Sequence, residues 1–377
     1  MKGKQGLVCM GLLLVLSSCH TGKQITASGL QRKDFQTEVN GQHTDLFTLS
    51  NKQGMEVCIT NYGARVVSIL VPDRNGKRED VVCGFSTITE YMEQRQNFGS
   101  TVGRYIGRIL NARFTLDGVE YKLVPNNGKS GHISHGGNPG FADRIWKVEQ
   151  ADTHRACLSY LSPDGENGFP GNLKVTLVYS LGEDDNALDL TYEATTDAPT
   201  VLNLSHHSFF NISGNFTKSV EDQQLWVDAD RFTPYDDKKC VTGEYLPVAG
   251  TPLDFRMPHA IGECIDADHP QLKVVNGYDH TWELNTKGDD TRPAAWVYDP
   301  ASGRKMEIFT TEPGMQIYTG NGLKGKMTGK RGIAYPFRSA VCFETMHFQD
   351  SPNQPGFPST VLRPGEVFRS HTVYKFE

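Results

Sequence analysis

Leu173-Lys174-Val175-Thr176-Leu177-Val178-Tyr179-Ser180-Leu181 sets a large apolar side chain at every second position for nine residues. Successive side chains on a strand point to opposite faces, so this period of two describes a half-buried β-strand and not a helix. Leu188, Leu190, Tyr192 and Ala194 repeat the pattern against Asp189, Thr191 and Glu193, after the linker Gly182-Glu183-Asp184-Asp185-Asn186. That linker is turn chemistry, and the two runs form an antiparallel hairpin. A second hairpin is expected where Phe114 and Leu116 meet Val119, Tyr121 and Leu123 across Asp117-Gly118, a pair that supplies the positive φ angles of a tight turn. Further strands are expected at 56–60, 64–71, 306–310, 340–345 and 371–376, and one short helix at 87–95, capped by Ser86 or Thr87. No Pro/Ser-rich linker, charge run or internal repeat of about 20–50 residues divides the chain. The expected fold class is all-β: one large antiparallel sandwich domain with few short helices.

The 377 residues include 38 Lys+Arg against 44 Asp+Glu, with a net charge of −6, 37% hydrophobic and 22% charged residues. Such a balance excludes a disordered, collagen-like or multi-span membrane chain. Without a block of Lys/Arg there is no electrostatic footprint for nucleic acid, so the expected partner is a small or neutral molecule. Lys2 and Lys4 precede an apolar run at 7–16 that is too short to span a bilayer and has the layout of a secretory signal. It ends in Leu16-Ser17-Ser18-Cys19, which resembles a bacterial lipobox; an ordinary signal cut after small residues is the alternative. The organisation expected is a signal peptide over 1–18, a lipidated Cys19 opening a polar tether over 19–34, and the sandwich over 35–377. The protein would then be exported and held to a bacterial membrane by lipid alone, with the outer membrane favoured by His20 after the cysteine. The other cysteines, at 58, 83, 157, 240, 264 and 342, show no C-x-x-C spacing, and no disulfide is assigned. Those at 58, 83, 157 and 342 lie in apolar runs, where Cys serves as a small buried hydrophobe.

Four segments carry more polar chemistry than a sandwich requires. Asn203-Leu204-Ser205-His206-His207-Ser208-Phe209-Phe210-Asn211 holds adjacent histidines that a strand would turn to opposite faces. In Ser134-His135-Gly136-Gly137 a histidine precedes glycines that admit close backbone approach, in either a ligand loop or a turn. Asn276-Gly277-Tyr278-Asp279-His280 fits a turn with an Asp cap or a site loop. Ala340-Val341-Cys342-Phe343-Glu344-Thr345 places a carboxylate in an apolar strand, either on a solvated face or desolvated and made basic. A Glu and a His in a water-restricted cleft suit proton transfer at two oxygens of one substrate.

Taken together and in order, these segments resemble the aldose 1-epimerase (galactose mutarotase) family over about residues 35–377. The resemblance also draws on Asn61-Tyr62-Gly63-Ala64, Gly103-Arg104-Tyr105, Gly107-Arg108-Ile109 and Gly250-Thr251-Pro252-Leu253-Asp254-Phe255. It continues through Pro313-Gly314-Met315-Gln316, Asp350-Ser351-Pro352-Asn353 and Leu362-Arg363-Pro364-Gly365-Glu366. It implies a galactose mutarotase-like β-sandwich that interconverts the α and β anomers of a free aldose without a cofactor. It also implies Glu344 as general base and His207 as general acid, acting from opposite sides of the sugar. Arg108, His135, Asp279 and Gln316 would then hold the sugar. Three positions depart from the family pattern: Gly107 and His206, where Asn is common, and Glu344-Thr345-Met346, where Glu-Pro-Gln is common.

Competing readings make different demands. A sugar-phosphate epimerase of the same fold needs extra cationic side chains at the pocket, for which Arg104 and Arg108 are the close pair. A non-catalytic carbohydrate-binding lipoprotein needs no matched acid and base. A metal site built from His132, His135, His206 and His207 has no compact ligand spacing, so no metal is expected.

Overall fold

The computed structural model describes residues 25–377; the expected signal peptide and Cys19 lie outside the described residues. The Leu173–Leu181 strand pairs antiparallel with Ala187–Thr196, placing Leu177 opposite Tyr192. Leu173, Val175, Leu177, Tyr179 and Leu181 all enter the main core. Each such burial is worth about 1.5–3 kcal/mol. The second expected hairpin forms between Arg113–Leu116 and Val119–Lys122, with Asp117 and Gly118 both at positive φ. The helix runs Ile88–Gln94, and its cap is Thr87: the hydroxyl accepts from the Glu90 amide while the Glu90 carboxylate accepts from the Thr87 amide. A second short helix, Pro270–Val275, begins with a proline at its first turn.

The expected hairpin lies inside a nine-stranded sheet in the order Lys147–Ala151, Arg155–Ser162, Leu173–Leu181, Ala187–Thr196, Phe368–Phe376, Lys305–Thr310, Ala295–Tyr298, Gln224–Val227, His259–Ala260. Facing it is a six-stranded sheet ordered Phe209–Phe210, Val341–Met346, Gly314–Tyr318, Asp279–Glu283, Arg231–Thr233, Leu246–Pro247. A four-stranded sheet, Leu46–Ser50, Glu56–Thr60, Arg65–Pro72 and Arg78–Asp80, extends the same core. Among the described residues every strand pairing in these sheets is antiparallel. The two larger sheets are pinned where the Tyr374 hydroxyl donates to the Phe343 carbonyl at 3.0 Å and where the Thr345 and Thr372 hydroxyls meet at 2.7 Å.

The stretch expected to be tether is docked from Ile25 onward. The amides of Ala27 and Ser28 donate to the Glu56 carboxylate, Leu30 and Phe35 are buried, and Arg32 reaches Asp45 at 2.8 Å. Leu30 and Phe35, with the bonds to Glu56 and Asp45, seat this mostly polar run on the sandwich. All six cysteines at 58, 83, 157, 240, 264 and 342 are unpaired. Cys58, Cys83 and Cys342 are buried as expected, whereas Cys157 is half-buried.

Candidate active site

Strand alternation builds the site on the face of the six-stranded sheet turned away from the sandwich core. Val341, Phe343, Met315, Ile317 and Trp282 point into the core. Their neighbours form rows across the other face: Glu344 lies opposite Gln316 and Gln316 opposite Thr281, while Cys342, Tyr318 and Asp279 form the next row. The Val341–Met346 strand is therefore buried at every residue, and the two alternatives for Glu344 resolve in favour of burial, with 3% of its surface exposed.

Above this floor is a cavity of about 240 Å³, and Arg108, His135, His207, Asp279, Gln316 and Glu344 all line it. Sequence reasoning gave no site role to Gln96, Asn97, Phe209, Tyr318, Met346 or Gln349, which also line it. Two of these had a signal in the sequence: Phe209 follows the histidine pair, and Tyr318 follows Gln316 by one strand period. His207 comes from the Ser205–His207 strand, paired with Ser100–Val102, and its ring stacks on Phe209 with centroids 5.0 Å apart. His135 sits at positive φ beside the Arg108–Ile109 strand, its amide donating to the Gly107 carbonyl. The glycine after it is obligatory, because a Cβ at Gly136 would lie 1.9 Å from the Gly103 carbonyl oxygen.

The His207 Nε2 and Glu344 Oε1 atoms are 3.4 Å apart. Burial, with a further push from Asp279, lifts Glu344 well above the usual carboxylate range. Burial, then the neighbouring His135, drives His207 well below the usual histidine value. Each group is pressed towards its neutral form, so the pair holds one proton between them and is able to give one while accepting another. His135 is pushed down to about 4 by burial and by Arg108, and its Nδ1 has no partner among the described residues. Asp279 is raised by burial and accepts from Gln316 Nε2 at 2.7 Å; the Gln316 oxygen accepts in turn from Thr281.

The two adjacent histidines do point apart. His206 is buried in the sandwich interior, with Nε2 2.7 Å from the Ser208 hydroxyl and Nδ1 3.4 Å from that of Tyr179. Arg104 is also structural. It is buried and donates to the carbonyls of Ser162, Pro163, Pro170 and Gly171. Of the pair considered for a phosphate, only Arg108 reaches the cavity. The four histidines weighed as a metal site do not converge. Potential ligand atoms of His207, Cys342 and Glu344 do lie within 4.8 Å of one another, but Cys342 is not part of the cavity wall.

A model of the aldose 1-epimerase family matches residues 45–375, which reach into every strand of the three sheets and include every residue of the cavity. The chain belongs to the aldose 1-epimerase family. It is 39% identical over 330 residues to a galactose mutarotase of Sus scrofa, covering 88% of this chain and 93% of the relative. It is 36% identical over 340 residues to an aldose 1-epimerase of Escherichia coli (strain K12), covering 89% and 96%. The crystal structure of an aldose epimerase homologue from C. elegans is similar to it with a TM-score of 0.81 and 30% identity, over 89% of this chain and 99% of that one. Within the family, the His206 departure falls in the core and the Gly107 and Met346 departures fall at the cavity wall.

Proposed function

We infer that this protein interconverts the α and β anomers of a free aldose such as glucose or galactose, with Glu344 and His207 exchanging the protons. The observation that carries the reading is the desolvated carboxyl–imidazole pair, 3.4 Å apart, at the wall of the cavity. Anomer exchange takes the proton from the anomeric hydroxyl and supplies one to the ring oxygen. The hemiacetal opens to an aldehyde, the C1–C2 bond rotates, and the ring closes on the other face. Both oxygens are bonded to the same carbon, so two groups 3.4 Å apart can reach both of them. A pair that holds one proton serves both directions, with the roles exchanged on closure. Arg108, His135, Asp279 and Gln316 hold the sugar hydroxyls and ring oxygen. A phosphate dianion would meet two carboxyl groups, Asp279 and Glu344, and a single guanidinium, which favours a neutral sugar over a sugar phosphate. A binding-only lipoprotein would have no use for a matched acid and base.

The test is polarimetry of fresh α-anomers of glucose, galactose, xylose and arabinose, alongside glucose 6-phosphate, with and without protein. Acceleration of at least one neutral aldose is expected; acceleration of the phosphate alone would move the assignment to a sugar-phosphate epimerase, and none at all would refute it. We further propose that the mature chain begins at a lipidated Cys19, is exported, and is held to a bacterial membrane, with the outer membrane favoured by His20 after the cysteine. The support is Leu-Ser-Ser-Cys after a short apolar run. Mass spectrometry of membrane-fractionated protein should find the acylated cysteine, and a soluble product cut elsewhere would reject it.

A further inference from the structure

Gly107 precedes Arg108 in the cavity wall and has φ +76°. A Cβ built there would lie 2.5 Å from Cγ and 3.1 Å from Cδ of Gln349. The space that a side chain at position 107 would take is therefore filled from across the chain by Gln349. That residue lies beyond the Val341–Met346 strand, is buried with 4% exposure, and lines the cavity.

The hydrogen bonds of its carboxamide are nearly complete. Nε2 donates to the Tyr235 hydroxyl at 2.6 Å and to the Gln316 oxygen at 3.3 Å, and Oε1 accepts from the Arg108 amide at 3.3 Å. An amide has two N–H donors and an oxygen with two lone pairs, so the one capacity left over is a lone pair on Oε1. Through Gln316 the same amide is linked to Asp279, since Gln316 Nε2 donates to the Asp279 carboxyl at 2.7 Å.

We propose that Gln349 is a specificity-determining residue: its Oε1 accepts a hydrogen bond from one non-anomeric hydroxyl of the sugar, while its Nε2 fixes the orientation of Gln316 against Asp279. An acceptor with no free donor selects aldoses carrying a hydroxyl at that ring position over the matching deoxy sugar. This rests on the acid/base reading of Glu344 and His207 but places no proton-transfer role on Gln349.

The experiment compares kcat and KM for a parent aldose and its singly deoxygenated analogues, by polarimetry, for the unaltered protein, Gln349→Met, Gln349→Ala and Gly107→Asn/Gln349→Ala. Gln349→Met keeps the volume beside Gly107 and deletes the amide. One neutral hydrogen bond is worth a factor of roughly 3–10, so KM for the parent sugar should rise by that factor while kcat changes by less than about twofold. The discrimination against one deoxy analogue should vanish in both single variants. In the double variant an Asn at position 107, a residue that tolerates positive φ, enters the vacated space with an amide of its own. Its KM should then fall back below that of Gln349→Ala. Folded single variants with unchanged KM and unchanged deoxy preference would overturn the proposal, as would a double variant whose losses simply add. Failure of the underlying reading looks different: the unaltered protein, or a Glu344→Gln control, would then show no difference in exchange rate from each other.

Discussion

Replacing Glu344 by Gln removes one oxygen's basicity and little else. The carboxyl makes no side-chain hydrogen bond within the described residues beyond its contact with His207, and its surroundings already penalise charge through burial and Asp279. A positioned general base contributes about 10²–10⁴ in rate. At about 1.36 kcal/mol per tenfold, this is about 2.7–5.5 kcal/mol of barrier. At the middle of that range, kcat should fall by about 10³. KM should stay within about threefold, because the amide keeps the shape and can still meet a hydroxyl. The fold should not suffer. An acid whose folded pKa is raised loses stability as pH climbs through the folded value, and an amide has no such loss, so the variant's melting temperature should match or exceed that of the unaltered protein at alkaline pH. Polarimetry gives the rates, calorimetry the sugar affinity and circular dichroism the fold. A folded Glu344→Gln protein exchanging anomers within about threefold of the unaltered rate would refute the role given to this carboxyl.

His206→Ala should lower the melting temperature clearly while leaving kcat within about tenfold, since its ring lies between Tyr179 and Ser208 and not at the cavity; a rate loss as large as that of His207→Ala would reverse the assignment of the two histidines. Burial pushes both His206 and His280 down to about 3. The unfolded chain therefore takes up protons below about pH 6.5 that the fold refuses, and stability falls with decreasing pH by about 1.4 kcal/mol per unit for each ring. Replacing His280, enclosed by Phe232, Tyr235 and Trp282, with Phe should flatten that slope in urea midpoints between pH 7 and 4.5, and an unchanged slope would contradict the account. Arg104→Met should leave four carbonyl acceptors short of a donor and cost about 3 kcal/mol or more in denaturant unfolding; a loss under about 1 kcal/mol would show that those carbonyls are satisfied without it.

Much of the fold is legible because burial leaves a periodic trace. Leu173–Leu181 and Ala187–Thr196 are half-buried, and alternation marks them both. Glu56–Thr60 and Arg65–Pro72 are buried on both faces, so only short apolar runs without alternation show. What periodicity does not carry is which distant strands pair. Phe368–Phe376 is the last strand of the chain, yet it sits between Ala187–Thr196 and Lys305–Thr310. Nor does it carry strands of two residues, such as Phe209–Phe210, whose place is set by pairing with Val341–Met346. The docked segment from Ile25 was hidden for a related reason: two apolar residues in a polar run look like a tether until a niche on the domain receives them.

The site divides along the same line. Glu344 stands out because a carboxylate in an apolar strand contradicts its surroundings, and such contradictions mark sites. Gln349 gives no sign at all, since its meaning depends on Gly107, which lies far away in the chain and close in space. The chemistry and the core nevertheless share one cause. Phe343 and Thr345 face the nine-stranded sheet while Glu344 between them faces the cavity. His206 likewise enters the interior while His207 turns to the substrate side. A slip of one residue in the Val341–Met346 strand would send Glu344 into the sandwich and Phe343 or Thr345 to the cavity, losing packing and the cavity carboxyl together. The packing of Phe343 against the facing sheet is therefore also what aims Glu344, and the proposed acid/base pair is held side by side by the alternation that builds the core.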